Sequence, residues 1–109
     1  MPISLLYVTC ASPEEAARIG RALVEERLAA CANFIPGMRS IYWWQGKLAE
    51  ESECVLILKT RAELVEAATA RVTALHGYSA PCVLELPIAR GHQPYIDWLL
   101  AETELPRPR

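Results

Sequence analysis

The stretch CANFIPGMRSIYWWQGKLAEESECVLILK, Cys31–Lys59, decides the fold. Cys31 to Phe34 has strand character, and Pro36-Gly37 interrupts it, which predicts a bulge or a bend. A second β-prone run, Ser40-Ile41-Tyr42-Trp43-Trp44, leads into Gln45-Gly46-Lys47, a turn signal between two strand patterns. The return strand is expected from about Leu48 to Lys59, with a polar tip (Glu50, Glu51, Glu53) and an apolar body (Cys54 to Leu58). A long hairpin therefore occupies the middle of the chain.

Helical patterns flank the hairpin on both sides. Upstream, Ser12-Pro13-Glu14-Glu15 reads as a helix start, with Ser12 and Glu15 as a capping box and Pro13 at the first helical position. Ala16, Ile19, Gly20, Leu23, Val24 and Leu28 share one arc of that helix. Arg27 intrudes on the arc, and its place in the last turn suits a cation that snorkels. Downstream, Thr60-Arg61-Ala62-Glu63 reads as a second capping box. Leu64, Val65, Ala68, Val72 and Leu75 follow as an apolar stripe. His76-Gly77 is expected to end this helix, the glycine in a left-handed cap and the histidine where a cation is favoured.

Beyond the helices lie two more strands, Ile3 to Thr9 and Pro81 to Ile88. Gly91 to Pro94 reads as a turn, Tyr95 to Leu100 as a short helix, and the tail at about 104–109 as disordered. The order β-α-β-β-α-β plus a terminal helix is the split-βαβ, ferredoxin-like order of an α+β domain. The chain, residues 1–109, is read as one domain.

Composition narrows the function. Of 109 residues, 52% are hydrophobic, enough for a real core, and the formal net charge of -2 with no basic run argues against nucleic acid as a partner. No apolar run reaches membrane-spanning length, and Met1 to Cys10 lacks the pattern of a secretory signal, so a cytoplasmic location is expected. The four cysteines, Cys10, Cys31, Cys54 and Cys82, show no metal-ribbon spacing and read as reduced thiols. No Ser/His/Asp set, phosphate loop or H-E-x-x-H occurs, which points away from an enzyme.

The strands do not alternate cleanly. Leu5 and Tyr7 oppose Leu6 and Val8, and Val55 and Ile57 oppose Cys54, Leu56 and Leu58. Two apolar sheet faces with one layer of helices imply burial against further copies of the chain. Tyr42, Trp43 and Trp44 cannot all enter so small a core, and at least one is expected at an interface. The alternative is that the hairpin and the C-terminal helix fold back over part of the open face.

Five segments together resemble the CutA divalent-cation tolerance family: Glu26–Asn33, Ser40–Lys47, Leu58–Arg61, His76–Pro81 and Tyr95–Trp98. The similarity spans about Leu5 to Glu102. It implies a cytoplasmic homotrimer, similar in architecture to the PII signalling proteins and linked to tolerance of divalent metals, copper in particular. By that resemblance Cys10 and His76 match positions proposed as copper ligands, and their thiol and imidazole suit the metal. Some members carry a second histidine where this chain has Leu75, and many carry Glu where it has Cys82. The bland alternative makes Cys10 a packed thiol and His76 a helix cap. Glu53 and Glu85, with Glu50, Glu51, Lys59 and Tyr42, are candidates for a cleft between subunits. A rival reading of the function is a PII-like signalling or adaptor trimer that holds a small ligand or a protein partner in such clefts.

Overall fold

A computed structural model of the chain describes residues 2–104. The expectation for the tail at about 104–109 lies outside them from residue 105 on. The elements are β1 (Ile3–Cys10), α1 (Pro13–Glu25), β2 (Cys31–Trp44), β3 (Lys47–Arg61), α2 (Val65–Leu75), β4 (Val83–Ile88) and α3 (Gln93–Glu102), with a 3₁₀ turn at Ala62–Leu64 before α2. The strands form one antiparallel sheet in the order β2-β3-β1-β4. This is the expected α+β, ferredoxin-like order.

Leu6, Val8 and Cys10 of β1 and Cys54, Leu56 and Leu58 of β3 point to the same side of the sheet. They meet Ile19 and Leu23 of α1 and Ala68 and Val72 of α2 in the core. Helix α1 can lie so close because Gly20 faces the sheet: a Cβ there would come within 2.9 Å of Ala32 Cβ and 3.3 Å of Leu56 Cδ1. On the other side, α3 covers one end only. Leu99 packs on Ile3 and Ala30, with Ile88, Ile96 and Leu100 around them. Leu84, Leu86 and Ile35 remain outside that cover, exposed to 59%, 47% and 54%.

The central hairpin is longer than the two runs suggested. Pro36 and Gly37 do not end β2: the register shifts between Ile35 and Met38, Gly37 takes φ 85°, and pairing resumes as far as Trp44↔Lys47. Gln45 and Gly46 both have positive φ, 50° and 77°, as a two-residue hairpin turn requires. The pairing of β3 with β1 stops at Cys10↔Cys54, so Met38 to Glu53 pair only with one another and form a projecting arm. Tyr42, Trp43 and Trp44 all lie on that arm, outside the core.

Four local expectations differ from the structure. Thr60 does not cap α2, because β3 continues its ladder with β1 through Ser4↔Thr60 and Ile3↔Arg61, and Ala62 N–H then donates to the Pro2 carbonyl at 3.0 Å. The pairing keeps Thr60 in the sheet, four residues before the N-cap position of α2 at Leu64, and α2 begins at Val65 without a side-chain cap. Gly77 is not left-handed; His76 ends α2 in extended backbone, φ -79°, ψ 145°. Arg27 lies past the end of α1 at φ 62°, held there by Glu102, whose carboxylate is 2.6 Å from Nη1. Finally, α3 starts at Gln93, so Pro94 stands in its first turn, not in a loop before it.

Candidate metal cluster and aromatic cleft

Three donors meet where β1 and α2 end and α1 begins. Cys10 is the last residue of β1 and is fully buried. Glu15 lies in the first turn of α1, whose start is fixed by Ser12 Oγ accepting the Glu15 N–H at 3.1 Å. The reciprocal half of the capping box is displaced. The Glu15 carboxylate accepts instead from the N–H groups of Ala11 and Gly77, each at 2.9 Å. That second bond explains the glycine, since a Cβ at residue 77 would stand 2.9 Å from Glu15 Oε2. His76 closes the group. One donor atom each from Cys10, Glu15 and His76 all lie within 4.8 Å of one another.

His76 is held at both ring nitrogens. Nε2 lies 2.8 Å from the Thr9 carbonyl, and Tyr78 N–H donates to Nδ1 at 3.1 Å. A carbonyl can only accept and an N–H can only donate, so this pattern places the ring hydrogen on Nε2. Burial would push the Glu15 carboxyl up. The Ala11 and Gly77 N–H groups, with His76 and Arg18 nearby, outweigh that and hold it below its usual range. Burial, with the charge of Glu15 next in importance, pushes the Cys10 thiol from 9.0 up to about 12. The thiol is therefore protonated at neutral pH.

The backbone of Thr9 and Tyr78 connects this cluster to a cleft of about 380 Å³. Its walls are Tyr42, Trp44, Glu51 and Glu53 of the arm, Thr9 of β1, and Tyr78, Ser79, Ala80 and Cys82 between α2 and β4. Tyr78 Oη donates to Glu53 Oε2 at 3.0 Å and Tyr42 Oη to Glu51 Oε2 at 3.3 Å. Burial, then the bond to Glu53, pushes the Tyr78 phenol well above its usual value, so it stays a donor. The pairing fits the alternation of a strand: Glu51 and Glu53 are two residues apart on β3 and face the same way.

The residues singled out in the sequence therefore divide. Cys10 and His76 come together, and Tyr42, Trp44 and Glu53 share the cleft. Trp43 does not line it and, at 73%, is the most exposed of the large apolar residues among those described. Lys59 stands near α3, its Nζ 3.3 Å from the Tyr95 hydroxyl. Glu85 accepts from Ser4 Oγ at 2.7 Å on the helix-covered face, where Leu6 is its cross-strand partner. Neither of these two lines the cleft within one chain. Sequence reasoning missed Glu15 as a donor and Tyr78 as a wall. The signal for Glu15 was its capping-box position five residues after Cys10, and for Tyr78 its place two residues after His76. All four cysteines are free thiols, Cys10 and Cys54 buried and Cys31 and Cys82 partly so.

Residues 4–102 match the family of the CutA1 divalent ion tolerance protein. The divalent-cation tolerance protein CutA of Thermus thermophilus is 46% identical over 99 residues, covering 91% of this chain and 96% of that protein. Protein CutA 1, chloroplastic, of Oryza sativa is 42% identical over 103 residues, 94% of this chain; the chain spans 58% of the length of that relative. The crystal structure of CutA1 from Oryza sativa superposes with a TM-score of 0.92 at 41% identity, covering 95% of each chain.

Proposed function

The chain belongs to the CutA1 divalent ion tolerance family, and from that premise we propose that it is a cytoplasmic homotrimer of one-domain protomers that responds to divalent cations, copper in particular, through weak binding and without enzymatic turnover. The observation that carries the reading is the convergence of Cys10, Glu15 and His76 within 4.8 Å. A thiolate, an imidazole and a carboxylate form a donor set that copper accepts. The same geometry supports weak affinity. A metal at this point must displace a proton from a thiol held up to about 12. It must also release His76 from Thr9 or from the Tyr78 N–H. Binding coupled to proton release strengthens as pH rises. The uncovered side chains of Leu84, Leu86 and Ile35 support assembly with further copies. Among the described residues no helix is long and apolar enough to cross a membrane.

Titration with Cu(I) and Cu(II) tests the reading. Wild type is expected to bind with an affinity that rises between pH 6 and pH 8. The Cys10→Ala/His76→Ala variant should bind about tenfold more weakly or worse, and Glu15→Gln should fall between them. Equal affinity in the double variant rejects these ligands.

The cleft supports a second reading, a PII-like signalling or adaptor trimer with a small ligand. A volume of about 380 Å³ lies within the usual range for small-molecule sites. Among the described residues no lining side chain is basic, which argues against a nucleotide or other phosphate ligand.

A further inference from the structure

We propose that the cleft between the arm and the α2–β4 segment binds a small organic dication, a short aliphatic diamine, through Glu51 and Glu53 against the rings of Tyr42, Trp44 and Tyr78. The inference deepens the small-ligand reading and does not depend on the metal cluster.

Glu53 is the starting point. It is only 8% exposed, and no lysine, arginine or histidine forms an ion pair with it among the described residues. One carboxylate oxygen is held by Tyr78, and the other, itself reached by solvent at the cleft, has no hydrogen-bond partner among the described residues. Glu51 is exposed, with one oxygen held by Tyr42 and the other without a hydrogen-bond partner among the described residues. A little-exposed carboxylate with no cation beside it is an electrostatic complement for a cationic ligand. Both tyrosines give their hydroxyl to the carboxylates, which fixes the direction of the acceptor oxygens.

Spacing and wall chemistry select the class of cation. Two residues on the same face of a strand are about 6.6 Å apart along it, a separation that two ammonium groups on a short carbon chain can span. The space beside the carboxylates is walled by Tyr42, Trp44 and Tyr78. Aromatic faces attract organic cations and accept methylene chains. A hard metal ion seeks six or more oxygen ligands, and this cleft offers two carboxylates among rings. With both charges matched, a dication should bind better than a monoamine of the same length.

Calorimetric titration of the full chain with 1,4-diaminobutane tests this, with butylamine, Mg²⁺ and a neutral diol of equal length beside it. The expected result is saturable one-site binding of the diamine, about tenfold weaker for butylamine, and none for the diol. Glu53→Gln, Glu51→Gln and Trp44→Ala should each weaken the diamine about tenfold. Glu66→Gln, the same charge change on the exposed face of α2, should not. Thermal melts establish that each variant is folded; Glu51 and Trp44 lie on the exposed arm, so their variants keep the test open if Glu53→Gln does not fold. Unchanged affinity in folded Glu51→Gln and Trp44→Ala overturns the proposal, and so does equal binding of Mg²⁺ and diamine. If the diol or butylamine binds in the cleft and the diamine does not, the diamine is rejected and the small-ligand reading survives. If none of the four binds, both fail at this cleft.

Discussion

At the scale of residues, one carboxylate ties three segments together. Glu15 sits on α1 and accepts from Ala11 before the helix and from Gly77 after α2. Hydrogen bonds to a charged acceptor contribute about 1.5–3 kcal/mol each, less where solvent reaches them. Glu15→Gln keeps one oxygen and loses the charge, and it should cost about 1–3 kcal/mol at pH 7 in urea unfolding. The cost must depend on pH. The folded Glu15 carboxyl ionises below its ordinary 4.5. Its contribution is therefore complete above that value and is lost as pH falls through the folded pKa. Wild type and variant should converge in acid, and a constant difference from pH 7 to pH 3 would contradict the assignment. Thr60 makes the opposite case. Its Oγ1 is the one buried side-chain oxygen or nitrogen among the described residues without a partner. Thr60→Val removes a hydroxyl that satisfies nothing and keeps the shape, and it should raise stability by about 1 kcal/mol. A lowered melting temperature would mean the hydroxyl is bonded after all. Sequence alone misassigned both residues. It gave Glu15 a purely local bond and gave Thr60 a cap, because local rules know nothing of a partner 62 residues away or of a ladder that runs on.

At the scale of elements, the hairpin and the helix–sheet contact were legible to different degrees. The β2–β3 hairpin was legible because its signals are local: β-prone runs, a Gln-Gly turn, and Pro36-Gly37 at the bulge. How far the arm projects was not, since that depends on where β1 stops pairing, at Cys10↔Cys54. The approach of α1 to the sheet is set by Gly20, which the sequence places on the apolar arc without saying why it is glycine. A methyl there would stand 2.9 Å from Ala32 Cβ, too close for two carbons. Gly20→Ala gains helix propensity but forces α1 outward, and the net effect should be a loss of about 1–3 kcal/mol. Denaturant midpoints of the variant and of Ala17→Gly, a partly buried neighbour, would show it. A stabilised Gly20→Ala would mean that α1 can lift from the sheet at little cost.

At the scale of the whole molecule, the sheet has two apolar faces and one full cover. Helices α1 and α2 close one side, and α3 closes only the Ile3–Ile88 end of the other. Leu84 and Leu86 of β4 stand outside it. Two charges on that face should prevent any burial of it. If the proposed trimer closes over this face, wild type should sediment as a trimer and Leu84→Asp/Leu86→Asp as a monomer at the same concentration. A variant that sediments like wild type would exclude β4 from the assembly surface.

The amino-acid sequence by itself determined the order of elements, the α+β class, the excess of apolar sheet surface and the family, because periodicity, capping and turn chemistry act over a few residues and the family motifs are contiguous. Only the tertiary structure decided which donors meet at Cys10, that Tyr78 and Glu53 share a cleft with Tyr42 and Trp44, and that Lys59 and Glu85 lie elsewhere. Those are matters of which strand ends beside which helix, and the register of a ladder fixes them. A shift of one residue in that register would turn every side chain to the other face.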